Sequence, residues 1–215
     1  MSFTIITADQ RSEEWRQARV GRLTGSRASD MLDVLKDGKS PGYKRRDLLA
    51  QLVCERLTGQ PQEDGYVNAV MQRGIDKEPD AFAAYEALTG NLVRRTGFLR
   101  HDALMVGCSL DGDVDDFTGI VELKCPKSAT HLSYLKCKGV PPSHMPQILH
   151  NLWVSGAQWC DFASYDDRYP TELQLFCVRV QRNDFDIVAY SRSAEAFLRE
   201  VDAEYELVRG LAVSA

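Results

Sequence analysis

Two short apolar segments that carry acids, 107–111 and 120–125, constrain this chain more than any other stretch. In Gly107-Cys-Ser-Leu-Asp111 an acid ends an expected strand, and a turn-rich insert, Gly112-Asp-Val-Asp-Asp-Phe-Thr-Gly119, follows. A second expected strand then carries Val121-Glu122-Leu-Lys124. Side chains alternate faces along a strand, so Glu122 and Lys124 share one face while Val121 and Leu123 take the other. If the two segments pair as a hairpin, Asp111 comes close to Glu122 and Lys124. Two carboxylates and one ammonium gathered on one half-buried spot are costly unless something binds them. Hard divalent cations such as Mg²⁺ take oxygen ligands of this kind. A lysine beside them can orient or deprotonate an attacking water, or offset charge on a phosphoryl transition state.

Matched alone, acid–gap–Glu-x-Lys is more often an ordinary charged strand. Its surroundings are better than average, because Leu110 and Val121 flank the acids with apolar residues and a solvated face does not explain that. The other titratable residues offer no rival centre. The six cysteines at 54, 108, 125, 137, 160 and 177 include no CxxC pair, and the histidines have no ligand spacing. The cysteines read as free buried thiols in a reducing cytosol, with neither a disulfide framework nor a zinc site.

The chain of 215 residues suits one α/β domain spanning 1–215, and no repeat or linker divides it. No run of 18 apolar residues suggests a membrane span, and the first residues lack the basic and apolar regions of a secretion signal, so a cytoplasmic protein is expected. The net charge of −5 speaks mildly against a simple nucleic-acid groove binder. Locally the charge is different: Arg19, Arg22 and Arg27 lie close together, Lys44-Arg45-Arg46 form a run, and Lys124, Lys127, Lys136 and Lys138 follow the acidic hairpin. Each cluster by itself reads as a solvated helix face.

Along the chain, residues 3–7 read as a short strand. Ser12 is a fair N-cap for a helix in which Trp15 is a core anchor. Leu23-Thr-Gly-Ser26 opens a second helix, and hydroxyls and free N–H groups at such a start suit either plain capping or a phosphate. Helices are expected over about 44–58 and 67–89, with a loop at 59–65 between them. Pro79 should kink the second or restart it after Glu78. Strands are expected at 91–101, 103–109, 120–125, 158–166 and 173–181. Helices should follow Cys125-Pro126 and run from about 143, the latter with Gln147, His150 and Asn151 on one polar face. A last helix should run from about 184 to the end. The fold expected is α/β, with a central mixed sheet of about five strands flanked by helices.

Six ordered blocks carry a resemblance. They are Trp15-x-x-x-Arg19-x-Gly21-x-x-Thr-x-Ser26; Gly74-x-x-x-Glu78; Cys108-Ser109-x-Asp111-Gly; Glu122-Leu-Lys-Cys-Pro126; Met145-x-Gln147; and Tyr165-Asp166-x-Arg168. In this order the chain resembles the lambda-exonuclease family of YqaJ-type viral recombinase nucleases, within the PD-(D/E)xK superfamily with its restriction-endonuclease-like core. The resemblance implies that Asp111 and Glu122, with the Leu123 carbonyl, bind metal. It implies that Lys124 is the catalytic lysine and that Glu78 completes a second metal position, for two Mg²⁺ ions with Mn²⁺ as a substitute. It implies a 5′-phosphate pocket of Arg19, Ser26, Ser109 and Gln147, an apolar wedge at Met71 and a duplex-reaching residue at Lys36.

The activity so implied is 5′-to-3′ digestion of one strand of linear duplex DNA to 5′-mononucleotides, leaving a 3′ overhang. The implied assembly is a homotrimeric ring around DNA, with a single-strand annealing protein as partner. Pro79 directly after Glu78, Leu110 before Asp111 and Leu149 two residues after Gln147 depart from the family pattern, and none removes a catalytic group. Two other readings share some of these residues. One is a site- or structure-specific endonuclease of the same superfamily, which would not need the phosphate pocket. The other is an end-binding protein with a dead site, which would have no need to keep the acids and lysine together.

Overall fold

The computed structural model describes residues 3–62 and 68–211, so the end of the expected 59–65 loop and the last four residues of the chain lie outside the described part. Helices and strands alternate as expected, but the strands divide into two four-stranded sheets. The first sheet contains β1 (Phe3–Ile6), β2 (Leu23–Thr24), β3 (Phe98–His101) and β4 (Val106–Ser109), in the order β1-β3-β4-β2. The second runs β5 (Gly112–Val114), β6 (Gly119–Lys124), β7 (Trp159–Tyr165) and β8 (Leu175–Gln181) in chain order. Strand β6 is antiparallel to β5 and parallel to β7, so the second sheet is mixed.

Among the described residues eight strands stand where six were expected, and two sheets of four replace one central sheet of about five. Part of the difference lies in the insert read as turn, whose Gly112–Val114 pairs with Gly119–Val121. Asp115, Asp116 and Phe117 close that hairpin with φ of 50°, 52° and 66°, a left-handed run that is unfavourable for side-chain-bearing residues. Buried Asp113 holds it, accepting a hydrogen bond from Phe117 N at 3.2 Å and a bidentate pair from Arg94 at 2.9 and 3.0 Å. The expected strand at 91–101 shrinks to β3, because Arg94 leaves it to bridge to Asp113.

Helices α1 (Glu13–Arg19), α2 (Ala28–Met31), α3 (Tyr43–Thr58) and α4 (Ala69–Thr89) precede β3. Ser12 caps α1 by accepting from Trp15 N at 3.1 Å, as its position suggested. Between β2 and α2 a 3₁₀ turn spans Gly25–Arg27, so the expected second helix is a single short turn of each kind. Helix α4 runs unbroken through Pro79 and does not restart. The proline is exposed, on the side where a freed carbonyl can turn to water. Helices α5 (Ser128–Cys137) and α6 (Met145–Ser155) connect β6 to β7, and α7 (Ile187–Leu211) ends the described chain.

Two cores result from the strand alternation. Ile120, Cys160, Phe162 and Val180 face the larger one, with Leu48 and Leu52 of α3, Ile148 and Leu152 of α6, and Phe197 and Val201 of α7. Val121, Leu123, Ala163 and Tyr165 face Ala81, Phe82 and Tyr85 of α4. Glu122 lies between Val121 and Leu123 in β6 and therefore points toward α6, the side opposite α4. No helix among the described residues is long and apolar enough to cross a membrane.

Candidate active site

The register of β5 against β6 pairs Gly112 with Val121, which sets Asp111 just before the strand opposite Glu122. Asp111 Oδ2 accepts from Leu123 N at 2.6 Å, so the backbone of β6 holds this carboxyl in place. Glu122 is almost fully buried, and its two oxygens are shared among three donors. Lys124 Nζ, on the same face two residues on, and Gln147 Nε2 at 2.7 Å both reach Oε1. Asn151 Nδ2 reaches Oε2 at 3.1 Å. Gln147 and Asn151 are one helical turn apart on α6, so a single helix face supplies both amides.

Electrostatics leave the place with more negative than positive charge, two acids against the single Lys124. Burial, and then the negative Glu122, push the Asp111 carboxyl up to about 6, against Lys124, the Leu123 N–H and Arg95. Burial works to lower the Lys124 ammonium, yet Glu122 and Asp111 outweigh it and hold the pKa above the usual lysine value. Glu78 comes from α4. Its carboxyl is also raised, by burial first; Arg95, with which it forms an ion pair, opposes that, and Asp111 adds to it.

Among the described residues no three His, Cys, Asp or Glu side chains converge as a ready metal cage. Mg²⁺ does not require one, since it is held by one or two carboxylates and keeps several waters. Asp111, Glu122 and the Leu123 carbonyl form a hard, oxygen-only, net-anionic donor set of that kind. Glu78 stands nearer Arg95, and its carboxylate would have to leave that partner to join them.

The residues expected to hold a phosphate fall into two connected parts. Arg19 Nη2 reaches Thr24 Oγ1 and Ser26 Oγ, each at 3.4 Å, and its guanidinium lies 4.3 Å over the Trp15 ring. Trp15 Nε1 donates to Ser109 Oγ at 2.9 Å. Trp15 is thus no core anchor: it is half-buried and joins Arg19 to Ser109. Gln147 does not touch these three; it is spent on Glu122. The parts meet at Gly25, where an added Cβ would come within 2.4 Å of Asn151 Oδ1 and 3.5 Å of Gln147 Cγ. Only glycine lets the 24–26 turn approach α6 so closely. Met71 lies exposed in the first turn of α4, and Lys36 is exposed on the turn between Val34 and Pro41.

Sequence reasoning missed several supports. Helical spacing puts Asn151 with Gln147 and His150 on one polar face, but His150 turns to the Tyr190 hydroxyl and the Gly107 carbonyl. Arg95, partner of Glu78, carried no signal beyond its charge. Arg73 and Arg168 both donate to the Pro126 carbonyl at 3.4 Å and both pair with buried Asp166, tying α4 to the end of β7 and to the turn after Lys124.

A family model described as the YqaJ-like viral recombinase domain matches residues 14–158. The crystal structure of an alkaline exonuclease, LHK-Exo from Laribacter hongkongensis, is 39% identical over 94% of this chain and 99% of that one, with a TM-score of 0.83. The same enzyme in complex with dAMP matches at 38% identity and a TM-score of 0.84, with the same coverage of both chains. A phage-related exonuclease from Haemophilus somnus 129PT shares the fold, with a TM-score of 0.63 at 11% identity over 88% of this chain and 96% of that one. No curated protein matches the chain.

Proposed function

The chain belongs to the YqaJ-like viral recombinase family, and from that premise we propose that it is a metal-dependent exonuclease. It digests one strand of linear double-stranded DNA from the 5′ end, releases 5′-mononucleotides and leaves a 3′ overhang for recombination. The observation that carries this reading is the convergence of Asp111, Glu122 and Lys124 beside a separate cationic, hydroxyl-rich group at Arg19, Ser26 and Ser109. A catalytic centre with a nearby phosphate site is what end-directed hydrolysis needs. A relative of 39% identity is an alkaline exonuclease, and its complex with dAMP supports a nucleotide-sized product.

In this reading Asp111, Glu122 and the Leu123 carbonyl hold Mg²⁺, or Mn²⁺ in its place, and Glu78 turns from Arg95 to complete a second position. The ions, when bound, would offset charge on the attacking and leaving oxygens of an in-line displacement. Lys124 orients the attacking water and donates to the phosphoryl oxygens. Gln147 and Asn151 fix the rotamer of Glu122. Arg19, Ser26 and Ser109, with Gln147 at their edge, take the terminal 5′-phosphate and so set the scissile bond one nucleotide away. Exposed Met71 splits the end of the duplex, and Lys36 contacts it.

We assign the protein to a homotrimeric ring enclosing DNA in the cytoplasm, working with a single-strand annealing protein. Enclosure offsets the weak attraction of a net-negative chain for DNA. The test is digestion of a linear duplex and a closed circle, with 5′-phosphate or 5′-hydroxyl ends, in Mg²⁺ or chelator. Metal-dependent release of mononucleotides from the linear duplex alone, faster from phosphorylated ends, is expected. Cutting of the circle would replace the exonuclease with an endonuclease.

A further inference from the structure

His144 precedes Gln147 by one turn, on the face of α6 whose amides hold Glu122. It stands at the N-cap, but its side chain makes no capping bond and turns to α5 instead. There His144 Nε2 lies 2.8 Å from Tyr134 Oη.

Strand pairing places this bond beside the lysine. Strand β7 runs parallel to β6, with Phe162 opposite Glu122 and Ser164 opposite Lys124. Residues paired in this way share a face of the sheet. The Tyr134 and His144 rings both pack on Phe162, with centroids 5.6 and 5.1 Å from it. One turn before Tyr134, His131 Nδ1 lies 2.8 Å from Ser164 Oγ. The face of α5 that carries Tyr134 thus covers the strand next to Glu122 and Lys124. Charge agrees with this placement. Burial raises the pKa of the Tyr134 hydroxyl and brings that of His144 down to about 4, and in both the Lys124 ammonium works to lower it.

Lys124 itself is paired with Glu122 Oε1, the oxygen that Gln147 also uses. In the exonuclease reading Glu122 is given to a divalent cation, and the ammonium then needs another acceptor to stay beside the phosphoryl group. We propose that Tyr134, oriented by His144, is a positioning residue for Lys124. The proposal rests on the exonuclease reading. Tyr134 donates its O–H to His144 Nε2, so the neutral imidazole carries its proton on Nδ1. The hydroxyl oxygen keeps its lone pairs for the ammonium. When Glu122 is engaged elsewhere, Lys124 moves from Oε1 to Tyr134 Oη and remains aimed at the reacting phosphate. His144 acts on the lysine only through the tyrosine.

The experiment follows single turnovers of the full chain on a linear 5′-phosphorylated duplex in Mg²⁺, and reads the imidazole nitrogens separately in chelator. Tyr134→Phe keeps the ring on Phe162 and removes only the oxygen. It should lower the maximal rate about tenfold, the scale of one lost hydrogen bond to a charged group, and leave the half-saturating concentration unchanged. His144→Leu should slow cleavage in the same way. His144→Gln, whose amide oxygen can accept the hydroxyl, should recover most of that loss. The double variant Tyr134→Phe/His144→Leu should be no slower than Tyr134→Phe, because both act along one path, whereas independent packing roles would add. In the metal-free protein, long-range ¹H–¹⁵N spectra should show His144 protonated at Nδ1, with an Nε2 signal that shifts in Tyr134→Phe. A Tyr134→Phe rate equal to the parent's, additive losses, or a proton on His144 Nε2 would each overturn the positioning role and leave the exonuclease reading standing. A parent protein that does not digest the duplex would overturn that reading, and the positioning role with it.

Discussion

Gln147 Nε2 lies 2.7 Å from Glu122 Oε1, so a residue expected in the phosphate pocket is bonded to an acid proposed to hold the metal. One turn later Asn151 holds the other oxygen. The amides at 147 and 151 therefore set where the Glu122 carboxylate points, and Gln147 does so beside Gly25, where the two parts of the site meet. Removing a hydrogen-bond donor that orients a metal-binding carboxylate typically costs 10–100-fold in activity or metal affinity, so roughly that loss is expected for Asn151→Ala. It should be partly recovered by raising Mg²⁺. Gln147→Ala should lose activity too, and in addition raise KM for phosphorylated ends. Equal effects of the two variants on KM would remove Gln147 from the phosphate site.

Asp111 is held where its charge is unfavourable without a cation. Its folded pKa of about 6 lies above the ordinary aspartate value, so in the metal-free protein this group's own contribution to stability is lost as pH rises from about 4 through 6, against the opposite trend of the buried histidines. Asp111→Asn removes that charge while keeping an acceptor for Leu123 N. At pH 7.5 in chelator the variant should be more stable than the parent by about 1–3 kcal/mol, read from urea midpoints. Its cleavage should be abolished, as should that of Lys124→Ala. A less stable Asp111→Asn protein would show that the acid is satisfied as it stands.

A terminal phosphate carries about −1.5 to −2 charge, where a diester carries one. Arg19→Ala should therefore slow the first cut at phosphorylated ends more than at hydroxyl ends, narrowing the difference between them. Pre-steady-state product release on the two duplexes checks this. An equal loss on both would mean that Arg19 does not sit at the terminal phosphate.

Asp166 is fully buried. Burial works to raise its pKa, but hydrogen bonds from Arg168 and Ser128 outweigh this and hold the carboxyl well below the usual range. Through Arg73 and Arg168 it fixes α4, which carries Glu78, against the turn after Lys124. Asp166→Ala leaves two guanidiniums without that partner; both reach solvent and Arg73 keeps Asp167, so the loss is that of hydrogen bonds between charged groups, about 1–3 kcal/mol. A fall in Tm together with lower kcat is expected. An unchanged Tm would show that the clamp is slack.

Period-two alternation made the site's centre legible before any coordinates. Glu122 and Lys124 had to share a face, and a hairpin had to bring Asp111 to them. The residues that support this centre were less visible because they act across the fold. Nothing local to Arg95 points to Glu78, 17 positions away, and nothing near Asn151 points to Glu122, 29 positions away. Trp15 looked like core because an indole is mostly apolar, while its one N–H decides its place beside Ser109. The second sheet was undercounted because Gly112–Val114 has the composition of a turn. It becomes a strand only through pairing with β6 and through the Arg94–Asp113 ion pair.

His150 offers a test of the core that lies behind the site. It is fully buried between the Tyr190 hydroxyl at 2.9 Å and the Gly107 carbonyl at 3.0 Å. Burial pushes its pKa down to about 4, although the bond to Gly107 works the other way. The unfolded chain binds a proton at about 6.5, so this histidine's contribution is complete above that pH and is lost as pH falls toward 4. Over that window it amounts to at most about 3 kcal/mol. His144 is depressed in the same way, by burial and then by Lys124, so the whole pH slope does not belong to one residue. His150→Gln keeps a donor for Gly107 and cannot take up a proton. Urea midpoints between pH 4.5 and 6.5 should therefore show a slope smaller by about one proton than in the parent. Identical slopes would mean that His150 is protonated with the ordinary affinity, and that the contact between α6 and α7 opens to water in acid.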